Sequence, residues 1–422
     1  MSDSKDINIY MDSLGSSAKR ASRILSQASV EQKNSALLSI AEKIDLKRQD
    51  ILKENQHDLA EAKKKEIGDA LIDRLELTQD RIDSMISGLK VVSELPDPVG
   101  EITNLKPTPS GIDVSKMRVP LGVVGIIYES RPNVTADAAA LCLKSGNSCI
   151  LRGGSEAILS NKIIWQCLQE GLDESGLPKE CIQLVEIIDR AAVKSLLQMD
   201  KWIDVIIPRG GKGLVKLISE ESRVPVIKHL DGICHVYIDL DSDPEKSIDI
   251  AFNAKTYRYG ICGAMETLLI HEEVASRILP KLLDKYNAEG VEIRGCEVTQ
   301  KIIKVKAAND EDWTTEYLAP VLSIKVVKGL EEAIEHINLY GSSHTDSIVT
   351  ENDENVAIFF DKVDSSSVMH NLPTCWADGF EYGLGAEVGI STDKIHARGP
   401  VGLEGLTSQK FIVKGNSQLR GS

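Results

Sequence analysis

From Leu121 onward, short apolar segments alternate with amphipathic helical segments, and this alternation constrains the fold more than any other feature of the chain. The segments typical of buried strands are 123–127, 148–151, 182–185, 205–207 and 235–238. Helical periodicity lies between them, as at 160–171 and 193–199. Since parallel strands need a crossover helix, the pattern predicts a doubly wound α/β sheet that binds ligands at the carboxyl ends of its strands.

The flanking segments have other patterns. Residues 11–88 carry apolar side chains at helical spacing. Two strand-like runs within 101–119 enclose a turn with proline and glycine, which predicts a β-hairpin that leaves the domain and returns. A second α/β region runs from about Ile248 into the mid-360s and includes a strand near 319–327. A glycine-rich stretch follows, and a strand-like run at 410–414 closes the chain.

Composition narrows the classes of function. The 422 residues suffice for two or three domains, and 42% hydrophobic with 27% charged residues is typical of a globular protein. A net charge of −15 disfavours a nucleic-acid partner, because such a chain repels phosphate backbones. No apolar stretch reaches membrane-spanning length, and the polar N-terminus lacks the pattern of a signal peptide. We therefore expect neither a membrane nor a nucleic acid as partner.

The eight cysteines show no Cys-x-x-Cys pair and no ligand spacing with histidine. This usage predicts a reduced, cytoplasmic protein with no structural zinc site or other metal.

Two glycine-containing turns follow predicted strands. The turn at 151–156 could bring a backbone and Arg152 to a phosphate, or it could be an ordinary turn capped by Ser155. The turn at 207–213 combines three glycines with Arg209 and Lys212 at the start of a helix, and here an anion site is favoured.

Cys262 lies in the segment 253–270, after a glycine-containing turn and before an apolar run. A thiol at the edge of a packed element can become a thiolate nucleophile, although a buried structural cysteine is the simpler interpretation of this segment alone. Asn133 follows the first strand and a proline, so it is a candidate oxyanion donor or a turn residue. His344 and His396 are candidate acid–base groups, whereas His235 lies in an apolar strand and is expected to pack there.

Together these motifs resemble the γ-glutamyl phosphate reductase family of the aldehyde dehydrogenase superfamily, over essentially the whole chain. The segments that carry the likeness are 119–133, 224–237, 327–348, 383–392 and 394–400. The resemblance implies an aldehyde dehydrogenase-like α/β fold with a Rossmann-type cofactor domain, an α/β catalytic domain and a β-hairpin oligomerisation element. The implied ranges are 1–102 and 118–233 for the NADP-binding domain, 234–404 for the catalytic domain, and 103–117 and 408–418 for the oligomerisation elements.

The resemblance also implies an activity, which is the NADPH-dependent reduction of L-glutamyl 5-phosphate to L-glutamate 5-semialdehyde and phosphate in the second step of proline biosynthesis. It implies a cytoplasmic homo-oligomer, a dimer or tetramer, with possible functional coupling to glutamate 5-kinase.

In this family the nucleophile falls at Cys262, which would displace phosphate to form a thioester, and Asn133 with the Cys262 N–H would form the oxyanion hole. The implied cofactor-binding residues are Arg152, Gly154, Ser155, Glu156, Pro208, Arg209, Gly210, Gly211 and Gly213. Arg152 suits a 2′-phosphate, which favours NADP over NAD. The implied substrate-pocket residues are Arg131, Gly263, His370, Asn371, Cys375, Trp376, Glu387, His396 and Arg398.

One difference from related enzymes supports a reductase. Hydrolytic aldehyde dehydrogenases carry Glu-Leu-Gly-Gly upstream of the cysteine, and its glutamate activates water. This chain has His229-Leu-Asp-Gly232 there. Without that carboxylate, water should attack the thioester slowly, and phosphate remains the acyl acceptor.

Other differences concern the substrate. Gly263 replaces the usual asparagine, His370 replaces a small apolar residue, and 371–376 reads Asn-Leu-Pro-Thr-Cys-Trp where the family has Asn-Ala-Ser-Thr-Arg-Phe. The missing arginine is an expected partner of the substrate carboxylate. The alternatives are therefore the same chemistry on a shorter or uncharged acyl phosphate or acyl thioester, or a non-catalytic member of the fold, which retention of Cys262 and Asn133 disfavours.

Overall fold

The computed structural model describes residues 2–105 and 108–420. The chain divides into two compact units. The first unit comprises Met1–Lys228, Leu384–Gly389 and Val401–Ser422, and the second comprises His229–Gly383 and Ile390–Pro400. The predicted catalytic range 234–404 thus includes two short segments that belong to the first unit.

Five helices come first along the described chain, and strands and helices are interspersed after them. The helices are α1 (Ser2–Leu25), α2 (Val30–Leu46), α3 (Arg48–Lys64), α4 (Asp69–Leu75), α5 (Gln79–Glu94), α6 (Val134–Lys144), α7 (Ile158–Glu174), α8 (Arg190–Leu197), α9 (Lys212–Glu221), α10 (Pro244–Thr256), α11 (Glu272–Ala288), α12 (Glu297–Ile302), α13 (Leu330–Tyr340) and α14 (Asp353–Lys362). The strands are β1 (Ile102–Asn104), β2 (Asp113–Pro120), β3 (Val123–Tyr128), β4 (Ser148–Arg152), β5 (Ile182–Leu184), β6 (Val205–Arg209), β7 (Cys234–Ile238), β8 (Met265–His271), β9 (Glu292–Gly295), β10 (Lys306–Ala307), β11 (Val321–Val327), β12 (Thr345–Val349), β13 (Ser367–His370), β14 (Ile390–Ser391), β15 (Gly399–Pro400) and β16 (Thr407–Lys414).

The first unit is built on a parallel four-stranded sheet with the order β5-β4-β3-β6. Every residue of β3 and β4 is buried, because helices cover both faces of such a sheet. The predicted strands and the crossover helices α7, α8 and α9 are confirmed.

The predicted helical region before the sheet is also confirmed, as α1 to α5. Helix α2 buries one apolar face that contains Leu37, Ile40 and Ile44. Its N-cap is Ser29, whose hydroxyl accepts from the Gln32 N–H, and Thr78 caps α5 in the same way through the Arg81 N–H. Side-chain capping satisfies N–H groups that have no partner within the helix.

A separate antiparallel sheet has the order β1-β2-β16. The predicted hairpin is confirmed as the β1–β2 pair, and the closing strand β16 pairs with β2 over eight residues, from Thr407 opposite Pro120 to Lys414 opposite Asp113. Phe411 is 64% exposed on this sheet. The role of this small sheet in oligomerisation stays a prediction.

The second unit contains a parallel seven-stranded sheet with the order β10-β9-β11-β8-β7-β12-β13. Sequence periodicity groups β7 with the strands of the first unit, whereas the structure places β7 in this second sheet. The physical reason is that Val226 forms a bridge beside Ile206 at the edge of the first sheet, before the chain enters the second unit. Among the helices described, none is long and apolar enough to cross a bilayer.

Candidate active site

Cys262 lies in the turn between α10 and the fully buried strand β8, and its side chain is half-buried. Two contacts fix its backbone. A Cβ atom at Gly232 would lie 2.1 Å from the Cys262 carbonyl oxygen, so only glycine fits there. The buried Cys234 thiol lies 3.1 Å from the same oxygen, to which it donates. The predicted nucleophile therefore sits on a constrained turn, where its side chain reaches the surface of the unit.

Most other thiols are buried and unreactive. Burial raises the pKa of Cys167 and of Cys181 to about 12, and it raises the pKa of Cys234 well above the ordinary value. Cys375 and Cys296 are half-buried. Burial raises the pKa of Cys375, whereas at Cys296 hydrogen bonds from Thr299 and the Val326 N–H outweigh burial and lower the pKa. Cys296 is thus a useful comparison thiol for tests of Cys262.

Two histidines meet the nucleophile. One possible ligand atom from each of His229, Cys262 and His344 lies within 4.8 Å of the others. His344 is fully buried, and burial together with nearby His229 lowers its pKa to about 3, so its imidazole is neutral at physiological pH. His229 Nδ1 lies 3.0 Å from the Ile390 carbonyl oxygen, to which it donates. His344 is a predicted acid–base candidate, but nothing in the sequence predicts its meeting with His229.

Asn133 precedes the first turn of α6 in the first unit. Its Nδ2 donates to Asp137 Oδ2 at 2.7 Å, one helical turn away. Burial raises the pKa of Asp137 to about 6, although the bond from Asn133 and the charge of Arg209 oppose this rise. Asp137 therefore orients the Asn133 amide and leaves its second N–H hydrogen for another acceptor. Arg131, in the same turn, is exposed.

The first glycine turn follows β4. Arg152 is buried, and its guanidinium donates to the carbonyl oxygens of Gly153 and Ile188. Glu156 Oε1 accepts from both the N–H and the hydroxyl of Ser130, at 2.8 and 2.6 Å. The alternative in which Ser155 caps the helix is wrong, because a short 3₁₀ turn, Ser155–Ala157, begins after Gly154 without a side-chain cap.

The second glycine turn follows β6, where Pro208 and Arg209 end the strand, and Gly211 precedes α9. Glu129 Oε2 already accepts from the Gly211 N–H at 2.8 Å. A Cβ at Gly210 would lie 2.6 Å from the same carboxylate oxygen, whereas one at Gly213 would meet open space. The helix N-terminus predicted to bind an anion therefore holds a carboxylate of the chain itself.

The two main differences from the family pattern touch each other. A Cβ at Gly263 would lie 3.3 Å from the Thr374 carbonyl oxygen and 3.5 Å from the Cys375 Cα. Thr374 Oγ1 donates to the Gly263 carbonyl at 2.7 Å. A larger residue after the nucleophile would need the 374–375 backbone to shift, so the replacements at 263 and 375 belong to one packed contact.

Other predicted pocket residues have structural partners. His370 Nε2 donates to the Thr350 carbonyl at 2.9 Å, and Asn371, which has φ 53°, forms hydrogen bonds with both backbone groups of Thr350. The His370 Nε2–H is thus already used by the backbone of Thr350. Trp376 is 44% exposed.

The remaining predicted residues come from the glycine-rich stretch. Arg398 Nη1 donates to Asp364 at 2.7 Å, and exposed His396 has φ 75°. Both belong to the second unit, whereas Glu387 belongs to the first.

Sequence reasoning missed three polar features. Asp137 orients Asn133, and Glu316 Oε1 accepts from the Gly232 N–H at 2.9 Å. Lys255 and Glu266, which precede and follow the nucleophile in the sequence, form a buried pair, and burial raises the pKa of Glu266 to about 7. The one available signal was the spacing of Asn133 and Asp137, which lie one turn apart on a helix.

Comparisons with known proteins show the family of this chain. The pattern described as "Aldehyde dehydrogenase family" matches residues 11–294. The γ-glutamyl phosphate reductase of Thermotoga maritima is 42% identical, covers 97% of this chain and 99% of its own, and superposes with a TM-score of 0.95. The Saccharomyces cerevisiae protein of the same name is 32% identical over 98% of this chain and 99% of its own, with a TM-score of 0.54. An acetylating aldehyde dehydrogenase from Geobacillus thermoglucosidasius, 16% identical over 99% of each chain with a TM-score of 0.69, shares the fold alone.

The chain therefore belongs to the aldehyde dehydrogenase family and, within it, to the γ-glutamyl phosphate reductases.

Proposed function

We propose that this chain reduces L-glutamyl 5-phosphate to L-glutamate 5-semialdehyde and phosphate with NADPH, through a thioester on Cys262. The observation that carries the proposal is the match to a γ-glutamyl phosphate reductase over 97% of the chain. The constrained turn at Cys262 supports it, because a nucleophile must be held in place against the acyl carbon.

The Cys262 thiolate attacks the acyl carbon of the substrate. A carbon–sulfur bond forms, the bond between carbon and the phosphate oxygen breaks, and phosphate leaves with the electron pair. The second N–H of the Asn133 amide stabilises the oxyanion, and Asp137 holds that amide in orientation. When bound, NADPH would supply the hydride for the reduction of the thioester to the aldehyde. Cys262 then leaves as the thiolate, ready for another cycle.

The first unit offers groups that fit such a cofactor. Arg152 Nε is buried without a hydrogen-bond partner in the described chain, and a Cβ at Gly213, in the first turn of α9, would contact no other atom within 4 Å. Arg152, Gly154, Ser155 and Glu156 would hold the adenosine ribose, and Pro208, Arg209, Gly210, Gly211 and Gly213 would meet the phosphates. Binding at the Gly211 N–H requires that Glu129 gives up its bond there.

A first test concerns the role of Arg152 in the preference for NADPH over NADH. We expect Arg152→Gln to lower kcat/KM for NADPH by about tenfold and to leave NADH nearly unaffected, because one charge-assisted bond to the 2′-phosphate is lost. The matched control is Arg190→Gln, since Arg190 is exposed beside Arg152 at the start of α8. An equal loss with both cofactors would mean that Arg152 acts only through the carbonyls of Gly153 and Ile188.

The function itself is tested by measuring NADP⁺ reduction in the reverse direction, with glutamate 5-semialdehyde and phosphate. A panel of uncharged aldehydes of four or five carbons runs in parallel. A kcat/KM higher for every uncharged aldehyde than for glutamate 5-semialdehyde would move the substrate assignment to another acyl phosphate.

Position 375 provides a sharper test of the substrate. We expect Cys375→Arg to raise kcat/KM for glutamate 5-semialdehyde by about tenfold or more, because a bond to the substrate carboxylate contributes about 1.5 kcal/mol or more. The Cys375 thiol lies 3.6 Å from Asn253 Oδ1, next to the backbone that packs on Gly263. Cys375→Ser is the matched control, and uncharged aldehydes should show no gain. If Cys375→Arg leaves kcat/KM unchanged for glutamate 5-semialdehyde and for the uncharged aldehydes, position 375 does not contact the substrate carboxylate.

Three further assignments complete the proposal. The enzyme acts in the cytoplasm, and its eight cysteine thiols support this, because a reducing compartment keeps cysteines as thiols. It is a homo-oligomer, a dimer or tetramer, and the exposed apolar side chains of β16, Phe411 and Val413, support this role of the small sheet. It is functionally coupled to glutamate 5-kinase, because an acyl phosphate hydrolyses readily in water.

A further inference from the structure

The group formed by His229, Cys262 and His344 has the composition of a site for a soft divalent cation. We propose that Zn²⁺ binds these three side chains, and that the cation reversibly inhibits the enzyme by occupying its nucleophile. The sequence predicts no metal, because the three residues lie far apart in the chain and show no ligand spacing. The fold of the second unit brings one ligand atom of each within 4.8 Å of the others.

His344 is the strongest part of the site. The residue is completely buried, and its Nε2 has no hydrogen-bond partner among the described residues. Its Nδ1 lies 2.9 Å from Thr345 Oγ1 and 3.6 Å from the Cys234 thiol, which fixes the plane of the ring. Leaving a buried ring nitrogen without a partner is unfavourable, and a bound cation would satisfy it.

His229 has the secondary contact that is typical of a metal-binding histidine. Its Nδ1 is 3.0 Å from the Ile390 carbonyl oxygen, which can only accept, so the proton resides on Nδ1 and the lone pair on Nε2. Histidines that bind metals through one nitrogen usually donate the other N–H to a carbonyl or carboxylate. The rings of His229 and His344 meet edge to face, with centroids 5.3 Å apart.

The identity of the cation follows from the ligands. One sulfur and two imidazole nitrogens suit Zn²⁺, whereas Mg²⁺ and Ca²⁺ prefer oxygen ligands. Zinc binds sulfur at about 2.3 Å and nitrogen at about 2.0–2.1 Å. The three ligand atoms therefore need to move closer to one another by about an ångström. Small rotations of Cys262 and His229 supply this movement. The Cys262 thiol releases its proton to solvent as the zinc–sulfur bond forms, and water takes the fourth position.

The expected consequence is inhibition that competes with the acyl substrate. A sulfur whose lone pair is held by zinc no longer attacks a carbonyl carbon. A chelator restores the thiol, since no covalent bond within the protein has changed. Zinc binding itself depends only on the three ligands, so it is measurable without any substrate or cofactor.

The test is calorimetric titration of the complete protein with ZnCl₂, with alkylation of each cysteine followed by mass spectrometry. We expect one zinc per chain, protection of Cys262 from alkylation, and recovery with EDTA. Cys375 and Cys296, both half-buried, are internal references that zinc should leave unprotected. His344→Gln should weaken zinc binding by about a hundredfold or more, because loss of even an outer partner of a ligand costs about 10- to 100-fold.

His57→Gln is the matched control, since His57 is an exposed residue of α3 in the first unit. It should bind zinc as the unaltered chain does. Equal zinc affinity in His344→Gln and the unaltered chain, or unchanged alkylation of Cys262 at saturating zinc, would overturn the proposal. Because this binding test uses no substrate, its result is distinct from that of the aldehyde panel, which tests the proposed function.

Discussion

Replacing Cys262 with serine is expected to lower kcat by about a thousandfold or more, because a hydroxyl without a paired base is a far weaker nucleophile than a thiolate. The backbone contacts of residue 262 do not involve its side chain. Gly232 packs against its carbonyl, and Cys234 donates to the same oxygen. The variant should therefore keep its fold, and the loss should appear in kcat rather than in the melting temperature.

The matched control is Cys296→Ser, because Cys296 is also half-buried and hydrogen bonds lower the pKa of its thiol. It should retain nearly full turnover. Single-turnover kinetics with glutamate 5-semialdehyde, followed by trapping of the acyl group, locates the thioester. Near-normal turnover of Cys262→Ser, or an acyl group on Cys296, would contradict the covalent mechanism proposed for Cys262.

The periodicity of the sequence predicts the elements of this fold well, because strand and helix periods are local properties. Buried strands such as β3 and β4 are continuous apolar runs, which show their length and type directly. Membership of a sheet is not local. The transfer of β7 to the second sheet depends on Val226, which takes the edge beside Ile206, and no periodicity contains that information.

The site also combines local features, which the sequence predicts, with long-range contacts, which it does not. The glycine turns after β4 and β6 are recognisable from the sequence, but the partners of their side chains are not. Arg152 is buried against backbone carbonyls, and the Gly211 N–H is bonded to Glu129. Each contact joins residues that share no spacing rule. A resemblance to a family places such residues in a site, whereas only coordinates show which atoms are already in use.

His344 shows how much of its chemistry depends on neighbours that the sequence does not reveal. In the sequence it is, with His396, one of two candidate acid–base histidines. In the structure it lies beside His229 and Cys262, and burial makes it neutral. A lone histidine and a cluster with a thiol have very different chemistry. The cluster arises from a loop at His229, a turn at Cys262 and the bend at His344 just before β12.

The last prediction concerns the reverse reaction, which should depend on inorganic phosphate. Residue 229 is a histidine whose Nδ1–H is donated to the Ile390 carbonyl, so no carboxylate at this position activates water. A positioned general base contributes about 10²–10⁴-fold, and we therefore expect omission of phosphate to slow steady-state oxidation of glutamate 5-semialdehyde by about a hundredfold or more. The measurement is NADP⁺ reduction with and without phosphate, with arsenate as a substitute acceptor.

His229→Glu should raise the rate measured without phosphate by about tenfold or more and yield free glutamate, because it restores a carboxylate base. His229→Gln is its matched control and should recover nothing. If the unaltered enzyme turns over at full rate without phosphate and releases free acid, the thioester is open to water and the reaction is that of a hydrolytic aldehyde dehydrogenase.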